Sequence, residues 1–194
     1  MFVLLAAWAA FAPVQDPPPL KVALDVENIG RQGAEVSSEI KKVAGILDAS
    51  VSGSKVTITI DWNTRLALSA LKEAVARVKP DDEAKPLGIK AASIRLEGYV
   101  DVDFTLEGKE AEKAGAALKG HPGIVDHSRA AGYFALILKS PAAVTLGDLS
   151  KAVAKANQKE EAKALELVRD VTWRTPEKNS PGGIPWVKPP RGGG

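Results

Sequence analysis

The 194-residue chain contains no cysteine, one methionine and two histidines. Without cysteine there can be no disulfide, no zinc ribbon, no thiol nucleophile and no lipid-modified N-terminal cysteine. Charge of either sign is not in excess: 26 Lys and Arg face 24 Asp and Glu, a formal net charge of +2 with the signs interleaved. Such a balance gives no basis for binding a polyanion or an anionic membrane surface. Aromatic residues are 5% of the chain and do not interleave with the basic ones, which removes an RNA-binding reading. No Gly-x-Ser-x-Gly, no glycine-rich phosphate loop and no nucleophile with a matched base occurs, so the sequence offers no enzyme and calls for no cofactor. What remains, with 45% hydrophobic and 26% charged residues, is the balance of a globular fold.

Long apolar runs are missing except at the start. MFVLLAAWAAFA is unbroken to Ala12 and then gives way to PVQDPPP. A bilayer span needs roughly 20 residues, so this run is too short to cross. It fits the core of a secretory signal, and Ala10-Phe11-Ala12 has the small-x-small form of a cleavage site. The expectation is a secreted or periplasmic chain, with residues 1–19 a signal and proline-rich lead and no stable membrane insertion of the mature part.

A shift of 78 residues aligns the chain with itself. Val22, Leu24 and Val26 fall on Val100, Val102 and Phe104, and Asp25 on Asp103. Gly45-Ile46 falls on Gly123-Ile124, and Asp48 on Asp126. Val56, Ile58 and Ile60 fall on Phe134, Leu136 and Leu138, while Leu68, Leu71 and Val75 fall on Leu146, Leu149 and Val153. An ungapped register that covers charges and glycines as well as apolar positions marks a tandem duplication. Two copies are expected, over 20–97 and 98–175, with a disordered proline- and glycine-rich tail at 176–194.

Reading each copy against the other gives one element order. KVALDV and YVDVDF alternate with period two and predict strands. A glycine-bearing loop follows, then Val36, Ile40 and Val43 (Ala114, Leu118 and His121 in the second copy) at helical spacing, with Gly45 and Gly123 expected to end those helices. Two strands meet at Ser52-Gly53-Ser54 and at Ala131-Gly132, which predicts hairpins. A second helix carries Leu68, Leu71, Val75 and Val78; its counterpart opens on a Thr145/Asp148 capping pair. GIKAASIRL (88–96) and LELVRDVTW (165–173) are the expected last strands. The order β-α-β-β-α-β, twice, predicts an α+β protein of two tandem ferredoxin-like domains, each a four-stranded antiparallel sheet with two helices on one face. With only Gly98 between the copies, they are expected to pack together.

The glycine-bearing loop NIGRQG, the helix leading to Gly45-Ile46, the Ser-Gly-Ser hairpin and the leucine-led second helix resemble the heavy-metal-associated domain, the family of copper chaperones and of the N-terminal domains of copper-transporting ATPases. The resemblance spans both copies and implies a Cys-x-x-Cys metal motif between strand one and helix one. Counting back along the helix puts those two positions at Ile29 and Gln32, and in the second copy at Glu107 and Glu110. Two thiolates suit Cu(I) because they are soft and charged. Ile29 has no lone pair and Gln32 offers a hard neutral oxygen; Glu107 and Glu110 are hard carboxylates on a loop, able at best to hold a divalent cation weakly. The resemblance therefore implies an ancestral metal site lost in both copies.

Other candidates are few. His121 could join Asp126, His127 and the Glu107/Glu110 loop in a metal set, but it lies at the far end of its helix and reads better as a half-buried residue of the last turn. Arg31 and Lys109 put a cation at the same place in both loops, a candidate contact with a partner protein. Trp186 in the tail is a second contact candidate, whereas Trp173 reads as packed at the end of the last strand. The expected function is protein contact by an exported non-enzymatic chain. The alternative is a metal-binding or metal-delivery protein that uses ligands other than thiolates.

Overall fold

The computed structural model describes residues 19–80, 85–138 and 144–175. Expectations that fall elsewhere, namely the signal and cleavage site, the tail and Trp186, lie outside the described residues. The first copy runs β1 (Leu20–Glu27), α1 (Gly33–Lys41), β2 (Ile46–Ser52), β3 (Lys55–Ile60), β4 (Arg65–Ala67), α2 (Leu68–Ala76) and β5 (Gly88–Ile89). The second runs β6 (Tyr99–Phe104), α3 (Gly108–Lys119), β7 (Ile124–Ala130), β8 (Tyr133–Leu138), α4 (Leu146–Ala156) and β9 (Val168–Arg174). The fold is α+β, two tandem ferredoxin-like units. One sheet has the order β2-β3-β1-β5 and the other β4-β9-β6-β8-β7, all antiparallel.

Alternation explains the strands. Val22, Leu24 and Val26 of β1 and Val100, Val102 and Phe104 of β6 are all within 2% of full burial, and their polar neighbours point to the other face. Helices close each core with Val36 and Ile40 of α1, Leu68, Leu71 and Val75 of α2, and Leu146, Leu149 and Val153 of α4. Burying one such leucine contributes roughly 1.5–3 kcal/mol. Helix α4 begins on a capping box, in which the Thr145 hydroxyl accepts from the Asp148 N–H and the Asp148 carboxylate accepts from the Thr145 N–H. The carboxyl of Asp148 is held below its usual range, first by the Thr145 hydroxyl.

Three expectations need correction. The last strand of the first copy is not continuous. Only Gly88–Ile89 pairs with β1; a 3-10 turn follows at Ala91–Ser93, and the chain then crosses to the second copy. There the Leu96 N–H donates to Val144 O (3.0 Å) and the Leu146 N–H to Ile94 O (2.9 Å). In return β4, from the first copy, pairs with β9 and becomes the fifth strand of the second sheet. Each copy thus lends the segment before its second helix to the last strand of the other. In the second copy, residues 161–167 form a 3-10 helix, so its last strand starts only at Val168.

Gly45 and Gly123 do not end the first helices, which stop at Lys41 and Lys119. They allow a close approach instead. A Cβ on Gly45 would lie 2.2 Å from Thr64 Cγ2, and one on Gly123 would lie 1.9 Å from Val144 Cγ2. Thr64 and Val144 sit in the lent segments, so these glycines let the exchanged chain pass over the end of each first helix. Gly45 also holds a φ of 82°, open to glycine at no steric cost.

Candidate functional site

The NIGRQG loop leaves β1 through Asn28 and Gly30, both in the left-handed region at φ 57° and 47°. That double turn folds Ile29 inward. Its side chain is 7% exposed and belongs to the hydrophobic core. Gln32 is the residue before α1 and is 5% exposed. Its amide does not cap α1; Nε2 donates to the backbone carbonyl of Lys79, past the end of α2. A buried amide donor left unpaired would be costly, so this bond ties the loop to the second helix across the position that the family resemblance assigns to a metal. The Gln32 N–H closes the turn onto Ile29 O at 2.9 Å.

Around this loop lie two shallow hollows. One, of about 510 Å3, opens between α1 and the end of α2 and is lined by Gln32, Glu39 and Arg77 among others. Glu39 there takes Lys42 and Arg77 as partners, and the Lys42 contact first, then Arg77, keeps its carboxyl below the usual range. The other, of about 450 Å3, is lined by Gly30, Arg31, Gly33 and Ser37. Ser37 is already used, its hydroxyl donating to Ala49 O at 2.6 Å.

The second copy is built differently. Helix α3 starts at Gly108, whereas the register of α1 would start it at residue 111. Glu107 and Glu110 are therefore not loop residues: Glu107 is the exposed residue before the helix and Glu110 lies in its first turn. Carboxylates suit that end of a helix because the first N–H groups are unpaired and partly positive. Glu110 is ion-paired with Lys159 at 3.0 Å. The inward apolar position is taken one residue earlier by Leu106, 1% exposed. Gly108 keeps the left-handed φ of its counterpart Gly30, at 49°.

Arg31 and Lys109 are both exposed, and neither has an ion-pair partner among the described residues. His121 is half-buried just past α3, and its Nδ1 accepts from the Gly123 N–H at 3.3 Å. His127 is half-buried on β7 and Asp126 is exposed. Among the described residues no three His, Asp or Glu side chains come together in a way that could hold a metal ion. Trp173 is fully buried in β9, and its indole N–H has no partner among the described residues.

One cluster escaped the sequence reading. On the sheet face away from the helices, Asp101 of β6 is 2% exposed and sits between Arg174 of β9, at 2.8 Å, and the hydroxyl of Tyr133 of β8, which donates to it. Desolvation first, then the Asp101 hydrogen bond, pushes the Tyr133 phenol up to about 12. The signal was present as a difference between the copies. In register, Asp101, Tyr133 and Arg174 replace Ala23, Lys55 and Leu96.

No protein-family model matches the chain, and no curated protein matches it. Two solved structures are similar to it. The water-soluble region of the P-type ATPase CopA from Bacillus subtilis is 15% identical, with a TM-score of 0.31 over 71% of this chain and 87% of that one. The N-terminal soluble domains of Bacillus subtilis CopA are 16% identical, with a TM-score of 0.30 over 70% of this chain and 88% of that one. Neither likeness carries an argument about chemistry. Among the described residues no helix is long and apolar enough to cross a membrane.

Proposed function

We propose that the chain is an exported, non-enzymatic protein of tandem degenerate heavy-metal-associated-like domains that acts by protein–protein contact. One observation carries the reading: both positions of the would-be metal pair in the first copy are committed to the fold. Ile29 fills the core and Gln32 is spent on Lys79 O. A loop held shut in this way has a fixed surface to present and no donor pair to offer. In the second copy the corresponding carboxylates stand at a helix start, where Glu110 has a lysine partner. The exposed Arg31 of the first loop and Lys109, in the first turn of α3, are cations available to a partner. Isothermal titration of the purified mature chain with Cu(I), Cu(II) and Zn(II) tests the reading. Heats no greater than dilution are expected; sub-micromolar binding of any of the three would replace it with metal carriage through non-thiolate ligands. Mass spectrometry of the exported fraction tests export, with a mature chain beginning near Pro13 as the expected result.

A further inference from the structure

The outer faces of the two sheets have diverged. Residues opposite one another on neighbouring strands share a face. Tyr99 of β6 stands opposite Ile137 of β8 and Arg174 of β9, and Arg174 stands opposite Arg65 of β4. Ile137 is opposite Asp126, next to Val125, the extra residue of a β-bulge on edge strand β7. Tyr99 precedes core residue Val100, so the whole row faces away from the helices. Asp126, Ile137, Tyr99, Arg174 and Arg65 thus form one line across five strands, roughly 19 Å from end to end at the usual strand spacing, with the bulge residue Val125 adjoining Asp126 at its far end. Its apolar end is open to solvent: Val125 is 60% exposed, and Ile137 and Tyr99 are half-buried.

The first copy supplies an internal control. In register, Tyr99 and Ile137 are Lys21 and Thr59, which pair directly across β1 and β3 in an equally regular sheet. The fold therefore has no need of a tyrosine and an isoleucine there. A lysine–threonine pair serves the strands and keeps the face solvated. Only the bulge residue stays apolar in both copies, as Leu47 (55% exposed) and Val125, the two exposed large hydrophobics among the described residues.

The other end of the row is cationic. Two arginines directly opposite repel. Arg174 is neutralised by Asp101, but Arg65 is exposed and has no ion-pair partner among the described residues. Arg65 nevertheless lies near enough to the Asp101, Arg174 and Tyr133 group to act on the Tyr133 phenol. The group carries two cations and one anion, one negative charge short of balance.

We propose that this row is a docking surface for a protein segment that carries an aromatic or aliphatic side chain beside a carboxylate. The apolar side chain lies on Val125, Ile137 and Tyr99, and the carboxylate on Arg65. The proposal rests on the protein-contact reading and names where contact is made and with what chemistry. A single carboxylate matches a single unbalanced arginine. A run of phosphates does not fit as well, because Arg174 is already neutralised by Asp101, which leaves Arg65 as the one cation of the row without an ion-pair partner among the described residues.

The test is an NMR titration of the purified chain with three probes: a capped Trp-Leu-Asp-Glu peptide, its Trp-Leu-Asn-Gln counterpart and a single-stranded oligouridylate. The acidic peptide is expected to shift Val125, Ile137, Tyr99 and Arg65, with the neutral peptide binding about tenfold more weakly, some 1.4 kcal/mol. Arg65→Ala, a change at an exposed residue, should weaken the acidic peptide by a similar factor. Tyr99→Lys with Ile137→Thr, which installs the first copy's residues, should abolish the shifts while leaving the melting temperature of Arg65→Ala and wild type as folding references. The proposal is overturned if the acidic peptide leaves this face unshifted, if Arg65→Ala binds it as well as wild type, or if oligouridylate produces the larger shifts. Shifts confined to Arg31 and Lys109 would also overturn it, yet leave protein contact standing; the protein-contact reading falls separately, by the metal titration.

Discussion

Asp170 of the second copy caps a helix of the first: its carboxylate accepts both the backbone N–H of Ser69 (3.1 Å) and the Ser69 hydroxyl (2.6 Å) at the start of α2. Helix α2 has no cap of its own, since Ala67 precedes it. In register, Ser69 and Asp170 correspond to Gly147 and Ala92, which meet so closely that a Cβ on Gly147 would lie 2.9 Å from Ala92 O. The same contact is thus made twice, once by a hydrogen-bonded pair and once by bare backbone, and only the second copy needs its own capping box. Asp170→Ala should cost about 1 kcal/mol, as other lost caps do, and Asp170→Asn less, because an acceptor remains. Urea unfolding of both variants checks this. A loss for Asp170→Ala indistinguishable from zero would contradict the cross-copy cap, and the part of the loss that disappears in a Ser69→Ala background measures the hydroxyl's share.

Because backbone pairing is exchanged in both directions and Asp170 caps a helix of the other copy, the copies should unfold as one body. Leu71 and Leu149 are both fully buried. Truncating either to Ala should cost about 2–5 kcal/mol, the range for core leucines. The sharper expectation is that both variants lower one shared transition by fluorescence and by circular dichroism. Two separable transitions, each moved by one variant alone, would show that the exchanged contacts are too weak to couple the halves.

Tyr133 gives a pH dependence whose sign can be worked out. Its folded value of about 12 lies above the ordinary 10.0, through desolvation first and the Asp101 hydrogen bond second. Between those values the unfolded chain has lost the phenol proton while the folded chain keeps it, so stability falls as pH rises. The contribution is complete below pH 10 and gone above about 12. Phenolate absorbance should show one tyrosine ionising late, and Asp101→Asn should bring that phase down. A single ordinary phase for Tyr99 and Tyr133 together would remove the buried contact from the account.

The parts legible in the sequence were those that each copy repeats. Strands β1 and β6, the hairpins at Gly53 and Ala131 and the leucines of α2 and α4 follow from periodicity, and the Thr145 cap, which the first copy lacks, from local chemistry. The illegible parts depend on the other copy. Ile94 and Leu96 look like the end of an apolar strand, and they are buried; what the sequence could not say is that their backbone bonds cross to Val144 and Leu146. Gly45 and Gly123 read as helix ends because no local pattern announces a chain passing overhead. Glu107 and Glu110 were misplaced because α3 gains most of a turn, which an ungapped register conceals. At the candidate site Asp101, Tyr133, Arg174, Tyr99 and Ile137 stand out only as mismatches between the copies, and a repeat register shows matches.

The close approach at those glycines is itself testable. Gly123→Ala should destabilise by about 1–3 kcal/mol through overpacking against Val144, and Val144→Ala should restore part of the loss by clearing the space. Gly45→Ala should cost as much and be rescued less by Thr64→Ser, because a left-handed φ remains strained for alanine. Thermal melts of the single and double variants decide it. Equal rescue at both sites would mean that backbone conformation at Gly45 matters little.

Returning cysteines to Ile29 and Gln32 asks whether the first loop lost only its ligands or also its shape. Ile29 is turned into the core and Gln32 toward Lys79, so both replacement thiols would start out buried. A thiol in apolar surroundings has a raised pKa and resists becoming the thiolate that Cu(I) requires. Ile29→Cys also removes apolar volume, at a cost of about 1–3 kcal/mol by comparison with other core truncations. Gln32→Cys leaves the Lys79 carbonyl without its donor, which loosens the tie to α2. The expected result is a folded, less stable double variant that does not take up Cu(I) in stoichiometric amount in competition with a chelator of micromolar affinity. Gln32→Cys alone should lose stability without changing the burial of residue 29. Stoichiometric Cu(I) binding by the double variant, with native-like spectra elsewhere, would show that the loop can still turn both side chains outward, and the account of Ile29 and Gln32 as fixed parts of the fold would have to be given up.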